Sequence, residues 1–535
     1  MDRNKQEQDV RVKDHIRGCL MAGAAGDALG YPVEFMSREA ILAHYGPEGI
    51  TRLETRDGKA LVSDDTQMTL FTANGILMGI TRGAMRGVGG NPEGYVQYAY
   101  LDWYYTQTGR KHDWFEHGFT WLRDLPELAH RRAPGNTCLS ACDSLLNHRD
   151  VENDSKGCGG IMRVAPMGLL TASYDNKDIS AISNAATAWA GAEIARCTHK
   201  HPLGFLPAAL LTHVVHRLAL LSTEDGIAQF TNLVTGATEL LKDIYQGEFD
   251  RDKQYLTALT ARALELASSR LNDHEAIARL GQGWTGEEAW AIAVYCVARH
   301  LHEPEQAVIA AVNHDGDSDS TGAIAGNIVG VLYGLEALER LHFLCPAGRN
   351  LTDTVELADI ILALADDIST GCIVSEYAPN DTPEQQQWLA RYVYMKPAGI
   401  HKEPVYRRPF VPGKITSLKP NEIFVFGSNL AGSHGGGAAL AAWKHFGAVM
   451  GQGVGLQGQS YAIPTMQGGV ETIKPYTDEF IAFAASHPEL TFLVTRIGCG
   501  IAGFSDSDIA PLFREALPLS NVLLPRSFVK VLNAL

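Results

Sequence analysis

Apolar residues recur at three- and four-residue spacing through residues 64 to 80, 94 to 106, 179 to 197, 204 to 221, 257 to 267, 286 to 300 and 351 to 365, the repeat of a helix with one buried face. Strand-like alternation is nearly absent between residues 12 and 370, so this stretch is expected to be an all-helical domain whose loops carry the chemistry. The glycine-rich Gly87 to Gly94 segment reads as a plain loop, and residues 223 to 285 hold no distinctive motif and are expected at the periphery. From 371 to 414 the texture changes. Pro379, Pro383, Pro397, Pro404, Pro409 and Pro412 punctuate a stretch in which only Gln385 to Met395 keeps a helical pattern, which predicts a partly extended linker.

After the linker the period switches to strand. Ile423-Phe424-Val425-Phe426 is a short apolar run followed by a glycine-rich loop, Gly427 to Gly437, and a helical pattern from Ala438 to Phe446. Strand, glycine loop, helix suits an anion, because backbone N–H groups at the helix start can face it directly. Phe492-Leu493-Val494-Thr495 leads in the same way into Arg496 to Phe504 and a helix from Asp506 to Leu517. Two glycine loops at the carboxyl ends of strands predict a ligand crevice in a small open α/β sheet over residues 415 to 535.

Composition narrows the classes. At 535 residues the chain exceeds one compact core. Its formal net charge of −16 argues against nucleic acid or an anionic membrane as the main partner. Nine cysteines without a CxxC pair read as reduced thiols, with Cys138 and Cys142 one helical turn apart on a packed face. The first ten residues are charged and polar without an apolar targeting core, and the apolar run from Ala323 to Leu335 is too short for a membrane span. A cytoplasmic protein is expected.

The candidate chemistry centres on Asn313-His314-Asp315-Gly316-Asp317-Ser318-Asp319-Ser320-Thr321-Gly322, three alternate aspartates running into a helix with small residues at 322, 326 and 330. That small stripe lets another backbone come close. An EF-hand loop competes for the same residues. It fails at its sixth position, Ser320 in place of Gly, and at its twelfth, Gly326 in place of Glu. About 250 residues earlier, Val62-Ser63-Asp64-Asp65-Thr66-Gln67-Met68 opens another apolar helix with vicinal acids. Either run alone is a helix N-cap. Together, Asp64, Asp65, Asp317 and Asp319 could share one place in ionised form only around divalent cations. Carboxylates and hydroxyls without a His/Cys pair point to hard ions, Mg²⁺ first and Mn²⁺ second.

These two motifs, with Arg17-Gly18-Cys19-Leu20 through Gly26-Asp27-Ala28-Leu29-Gly30 to Glu34, Arg132 to Thr137, Lys156 to Pro166 and Thr198-His199-Lys200-His201-Pro202, resemble the ADP-ribosylglycohydrolase family of the dinitrogenase reductase activating type. The resemblance spans residues 12 to 370. It implies that Ser63, Asp64, Asp65, Asp317, Asp319 and Ser320 hold two Mg²⁺ ions, roughly 3.5 to 4 Å apart, which grip the vicinal diol of the distal ribose. It implies that Glu34 is the acid/base, with Asp64 beside it in the catalytic set. Lys156, Gly157, Cys158 and Gly159 would receive the diphosphate and His199 would line the cleft, whereas Asp27, Arg163 and His201 would be structural. The C-terminal part resembles a macrodomain, an ADP-ribose-binding module. That implies one loop of Asn429, Gly435, Gly436 and Gly437 and a second of Gly498, Gly500 and Phe504.

The expected fold is thus an all-α ADP-ribosylglycohydrolase-type domain, 12–370, a linker, 371–414, and a smaller α/β macrodomain-like domain, 415–535. The expected function is Mg²⁺-dependent removal of ADP-ribose from a modified protein side chain, arginine first among the linkages. Two alternatives stand beside it: a protein that binds and neutralises ADP-ribosylated targets or an ADP-ribosylating toxin, and a hydrolase of free ADP-ribose derivatives. A full set of six ligands with Glu34 favours the hydrolase, because a mere binder has no need of all of them.

Overall fold

The computed structural model describes residues 3–87, 91–111, 118–179, 182–400, 410–411 and 415–532. The chain forms two compact units, Met1–Ile400 and His401–Leu535.

In the first unit most of the periodic runs become helices, among them Asp64–Arg86, Val96–Thr108, Asn184–Arg196, Pro202–Ala219, Asp250–Ala267 and Gly286–Arg299. Of the Gly87 to Gly94 segment, Gly87 ends its helix in the left-handed conformation, residues 88–90 lie outside the described residues, and Pro92–Tyr95 is a short 3₁₀ turn. The run from 351 to 365 is broken into Leu351–Thr354 and Ala358–Thr370. Between them the backbone pairs sideways: Ala60 N–H donates to the Thr354 carbonyl, and Glu356 N–H donates to the Ala60 carbonyl. Those bonds replace the helical ones.

The core is built on one helix pair. Arg3–Gly30 lies antiparallel on Ser318–Tyr333, with a glycine on at least one side at every turn of the contact. A Cβ added to Gly26 would run into the Gly322 carbonyl oxygen, one at Gly18 into Gly330, one at Gly30 into Ser318, and one at Gly326 into Ala22. The small stripe anticipated at 322, 326 and 330 therefore admits the backbone of the N-terminal helix. Asn327 sits inside this contact and donates its side-chain N–H to the Cys19 carbonyl at 2.9 Å.

The proline-punctuated stretch does not begin free of the first unit. Helix Pro383–Tyr392 packs on it: Trp388 is buried with its indole N–H on Thr81 Oγ1 at 2.8 Å, and Arg391 and Tyr392 both reach Asp367. Residues 401–409 and 412–414 of the expected linker lie outside the described residues.

Three histidines, His15 and His213 away from the acidic motifs and His314 within one of them, are buried in neutral form. Burial pushes His15, His213 and His314 from 6.5 down to about 4. A depressed pKa means the unfolded chain binds more protons between about pH 4 and 6.5, so the stability these groups confer is present above that window and is lost as pH falls through it. Between pH 7.5 and 5, thermal unfolding midpoints should therefore fall more steeply for the wild type than for His15→Gln/His213→Gln, at up to about 2 kcal/mol per histidine. Equal slopes would show that these rings protonate without unfolding cost.

The second unit is a five-stranded sheet. β1 (Glu422–Ser428), β2 (Gly455–Gln457), β3 (Ser460–Pro464), β4 (Thr491–Val494) and β5 (Val522–Leu523) lie in the order β2-β3-β1-β4-β5. β1 is parallel to both β3 and β4, β4 is parallel to β5, and β2 runs antiparallel on β3. Alternation along β1 serves two layers. Phe424 and Phe426 pack with Ala439 and Ala442 of helix Gly437–His445, while Ile423 and Val425 pack with Ile473 and Phe480 of helix Val470–Ser486. The chain passes from one side of β1 to the other between β3 and β4, which puts the topological switch at the carboxyl end of β1.

No helix among the described residues is long and apolar enough to cross a membrane.

Candidate active site

The glycine-paired helices deliver acids from both ends of the first unit to one place. Asp27, in the last turn of the N-terminal helix and fully buried, accepts hydrogen bonds from Ser63 N–H at 2.9 Å and from Thr66 N–H at 3.1 Å. It thereby caps helix Asp64–Arg86 from outside and fixes the Ser63-Asp64-Asp65 turn. Ser63 adds the local cap, its Oγ accepting from Asp65 N–H at 3.1 Å. Asp64 is held by its own N–H on the Arg132 carbonyl and by Gly135 N–H on its Oδ2 at 3.3 Å, so the Arg132 to Thr137 motif closes on it. Glu356 clamps this corner by accepting from Val62 N–H and Arg132.

The other acids come from the start of Ser318–Tyr333. Asp317 is the N-cap, accepting from Ser320 N–H at 3.2 Å, and Asp319 accepts from the same N–H at 2.9 Å. Asp315, the first of the three alternate aspartates, points elsewhere and holds Arg38 N–H at 2.8 Å. The alternation thus separates one structural aspartate from two that face the site.

Glu34, Asp64, Asp65, Asp317 and Asp319 are all buried, at 8%, 5%, 3%, 3% and 3% exposure. Burial first, then mutual repulsion, holds Glu34, Asp64, Asp65 and Asp319 above the ordinary carboxylate range, and burial also raises Asp317. Asp319 neighbours both Glu34 and Asp317, and Asp65 neighbours Ser320. Asp65 Oδ2 and Glu34 Oε2 are buried without a partner. Among the described residues no group of three His, Cys, Asp or Glu side chains is already converged on one metal position. The donor set nevertheless fits divalent hard cations: these are oxygen ligands only, too crowded to ionise together without positive charge, with two oxygens left over.

The turn assigned to a diphosphate has other commitments. Lys156 Nζ pairs with Glu287 at 3.0 Å, so its charge is spent on the start of helix Gly286–Arg299. Cys158 N–H donates to the Trp284 carbonyl, and Cys158 Sγ donates to Asp317 Oδ2 at 2.8 Å, which brings the thiol to the acidic cluster. Gly157 and Gly159 pack against the His199 ring. His199 is buried and neutral, its Nδ1 2.9 Å from Thr198 Oγ1, and burial pushes its pKa down to about 3. Arg163 is fully buried, stacked over the Tyr100 ring and bonded to Thr198 and Cys138, and His201 caps its helix by accepting from Leu203 N–H.

Part of the stretch expected at the periphery belongs here. The Gln282 carbonyl accepts Asp317 N–H at 2.8 Å, Gly283 lies against Thr321 and Asp317, and Thr285 bridges Gly157. Gly281-Gln282-Gly283-Trp284 directly precedes an apolar helix, and that close pair of glycines was the signal in the sequence.

In the second unit Asn429, Gly435, Gly436, Gly437, Gly498 and Gly500 line a single cavity of about 430 Å³ at the carboxyl ends of β1 and β4. Asn429 contributes to its wall while its amide is tied at both ends to the Ser433 backbone. Phe504 does not line the cavity. It closes the second loop through its N–H on the Gly498 carbonyl and packs on the core beneath.

A model of the ADP-ribosylglycohydrolase family matches residues 8–376. The chain is 27% identical over 374 residues to ADP-ribosylhydrolase ARH3 of Mus musculus, covering 61% of this chain and 86% of that protein. It is 24% identical over 335 residues to the ADP-ribosyl-[dinitrogen reductase] glycohydrolase of Rhodospirillum rubrum, covering 61% and 87%. It is also 24% identical over 341 residues to the uncharacterized protein YegU of Escherichia coli (strain K12), covering 61% and 90%. A solved structure described as an ADP-ribosylglycohydrolase-related protein complex is similar with a TM-score of 0.44 at 20% identity, over 67% of this chain and 98% of that one. With the match running through both acid-bearing helix starts, the chain belongs to the ADP-ribosylglycohydrolase family and is a hydrolase.

Proposed function

We propose that the first unit is a Mg²⁺-dependent hydrolase that releases ADP-ribose from a modified protein side chain, arginine first among the linkages. The observation that carries this reading is the buried cluster of five carboxylates with two unpartnered oxygens. Ser63, Asp64, Asp65, Asp317, Asp319 and Ser320 would hold the cations, Mn²⁺ being the alternative to Mg²⁺, and bound cations would supply positive charge and a grip on the ribose diol. The rest falls to the chain. Glu34, whose pKa burial first and then Asp317 and Asp64 push upward, would give a proton to the departing group and take one back from the attacking water. Cleavage develops oxocarbenium character at the anomeric carbon, which the surrounding carboxylates stabilise. His199 packs against the Gly157 to Gly159 turn and keeps it in shape for the diphosphate.

Turnover of arginine-linked, serine-linked and free ADP-ribose esters, each with Mg²⁺ and with chelator, tests the assignment. Glu34→Gln should lower the rate about 10²- to 10⁴-fold with little change in ADP-ribose affinity. A loss of less than about tenfold would make Glu34 a bystander.

The second unit is proposed to bind ADP-ribose in the cavity between its two glycine loops, holding modified targets near the hydrolase. Calorimetry on residues 401–535 should show ADP-ribose binding that Gly436→Val abolishes, and silence from the unaltered fragment would leave it a structural module.

A further inference from the structure

Beside the acidic cluster stand two large aromatic side chains that the protein does not bury. Phe35, the residue after Glu34, is 77% exposed, and Trp284 is 39% exposed. Their rings are stacked, with centroids 6.0 Å apart and planes inclined by 21°. Each is anchored by backbone to the site. Phe35 follows the proposed acid/base directly, while the Trp284 carbonyl accepts Cys158 N–H and its loop accepts Asp317 N–H through Gln282. Two exposed rings in contact next to an acidic site make a small contiguous apolar patch of the kind that marks a binding surface.

We propose that Phe35 and Trp284 form a stacking platform for the guanidinium of an ADP-ribosylated arginine, and so set the linkage the enzyme prefers. This rests on the reading of the first unit as an ADP-ribosyl hydrolase. In that reaction the bond between the anomeric carbon and a guanidino nitrogen breaks. Water supplies hydroxide to the carbon and a proton to the nitrogen, and the arginine leaves as a planar cation. A guanidinium stacks on an aromatic face and is drawn to it by the ring quadrupole. The neighbouring carboxylates add attraction of the right sign. A departing serine hydroxyl is neither planar nor charged and gains nothing from the rings. Glu34 places the platform on the leaving-group side, because the residue that protonates the departing atom must stand next to it.

The test uses the full-length protein and two peptides identical except for the linkage, arginine-linked or serine-linked ADP-ribose, with Mg²⁺. Phe35→Ala and Trp284→Ala should each lower kcat/KM on the arginine-linked peptide about 3- to 30-fold and leave the serine-linked peptide within about twofold. Phe35→Tyr and Trp284→Phe, which keep a face, should restore the preference. The same ratio should appear in the affinities of Glu34→Gln protein for the two peptides, where ADP-ribose binding elsewhere cancels. Equal losses on both linkages, or no loss on either, would overturn the platform while leaving the hydrolase reading intact. A wild type that cleaves neither peptide would overturn the hydrolase reading. The affinities would then decide the platform, which an absence of preference for the arginine-linked peptide overturns.

Discussion

Asp319→Asn should lose at least about a hundredfold of its Mg²⁺-supported turnover and yet unfold at or above the wild-type temperature in chelator. The two effects share one cause. Asp319 is buried beside Asp65, Asp317 and Glu34, and burial first, then repulsion from these carboxylates, holds its pKa well above the ordinary range. Without cations the carboxylates are a liability to the fold, and an amide in place of one of them relieves it. On the proposed function they become the attachment points once cations are bound, and the amide would be a poor substitute. The helix start survives, because Asp317 still caps it through Ser320 N–H. Thermal scans with and without Mg²⁺ provide the second reading: ligand linkage should raise the wild-type midpoint and raise that of the variant far less. Wild-type turnover by Asp319→Asn without excess metal would remove the dinuclear assignment.

Gly26→Ala should destabilise the first unit by about 1–3 kcal/mol or more and depress activity at temperatures where the protein remains folded. The added methyl meets the Gly322 carbonyl oxygen, which belongs to a helix backbone and cannot rotate away. The partner change Gly322→Ala would bring a Cβ to 2.5 Å from the Gly26 carbonyl oxygen and should act in the same direction. Either change spreads the two helices whose ends carry Asp27, Glu34, Asp317 and Asp319, so geometry suffers along with stability. Gly236→Ala is the control. It lies within helix Thr223–Leu240 with nothing within 4 Å of an added Cβ, and there alanine should stabilise by about 0.5–1 kcal/mol. A neutral Gly26→Ala would mean that the helix pair can slide, and would weaken the account of how the acids are placed.

Much of this was legible in the sequence because the relevant signals are local. Helical periodicity marks the helices, vicinal acids before an apolar run mark the two helix starts, and glycines at four-residue spacing announce a close backbone approach. What escaped was carried by tertiary hydrogen bonds. Lys156 reads as a free cation beside a glycine turn until Glu287 is seen to hold it. Asp315 is indistinguishable by spacing from Asp317 and Asp319, and only the Arg38 N–H separates it from them. Trp284 sits in a run, Ala276 to Gly286, without acids or histidines, yet its loop closes the site through carbonyl groups, which every residue possesses. In the second unit β1 and β4 were visible as apolar runs. β2 and β5, of three and two residues, are too short to show a period, and Phe504, read as a ligand contact, is half-buried against the core beneath its loop and outside the cavity lining.

The glycine-to-glycine helix pair also fixes a time order for the life of the molecule. Gly18 leaves the ribosome about 300 residues before its partner Gly330, a delay of roughly 15 to 60 s at ordinary synthesis rates. Throughout that interval the first helix has no matching surface, and Asp27 and Glu34 stand apart from Asp317 and Asp319. On the proposed site the nascent chain is therefore expected to stay inactive until nearly all of the first unit has been made. A chain ending at residue 317 would carry every motif of the site except the Ser318 helix start and, on the proposed function, should show none of its activity.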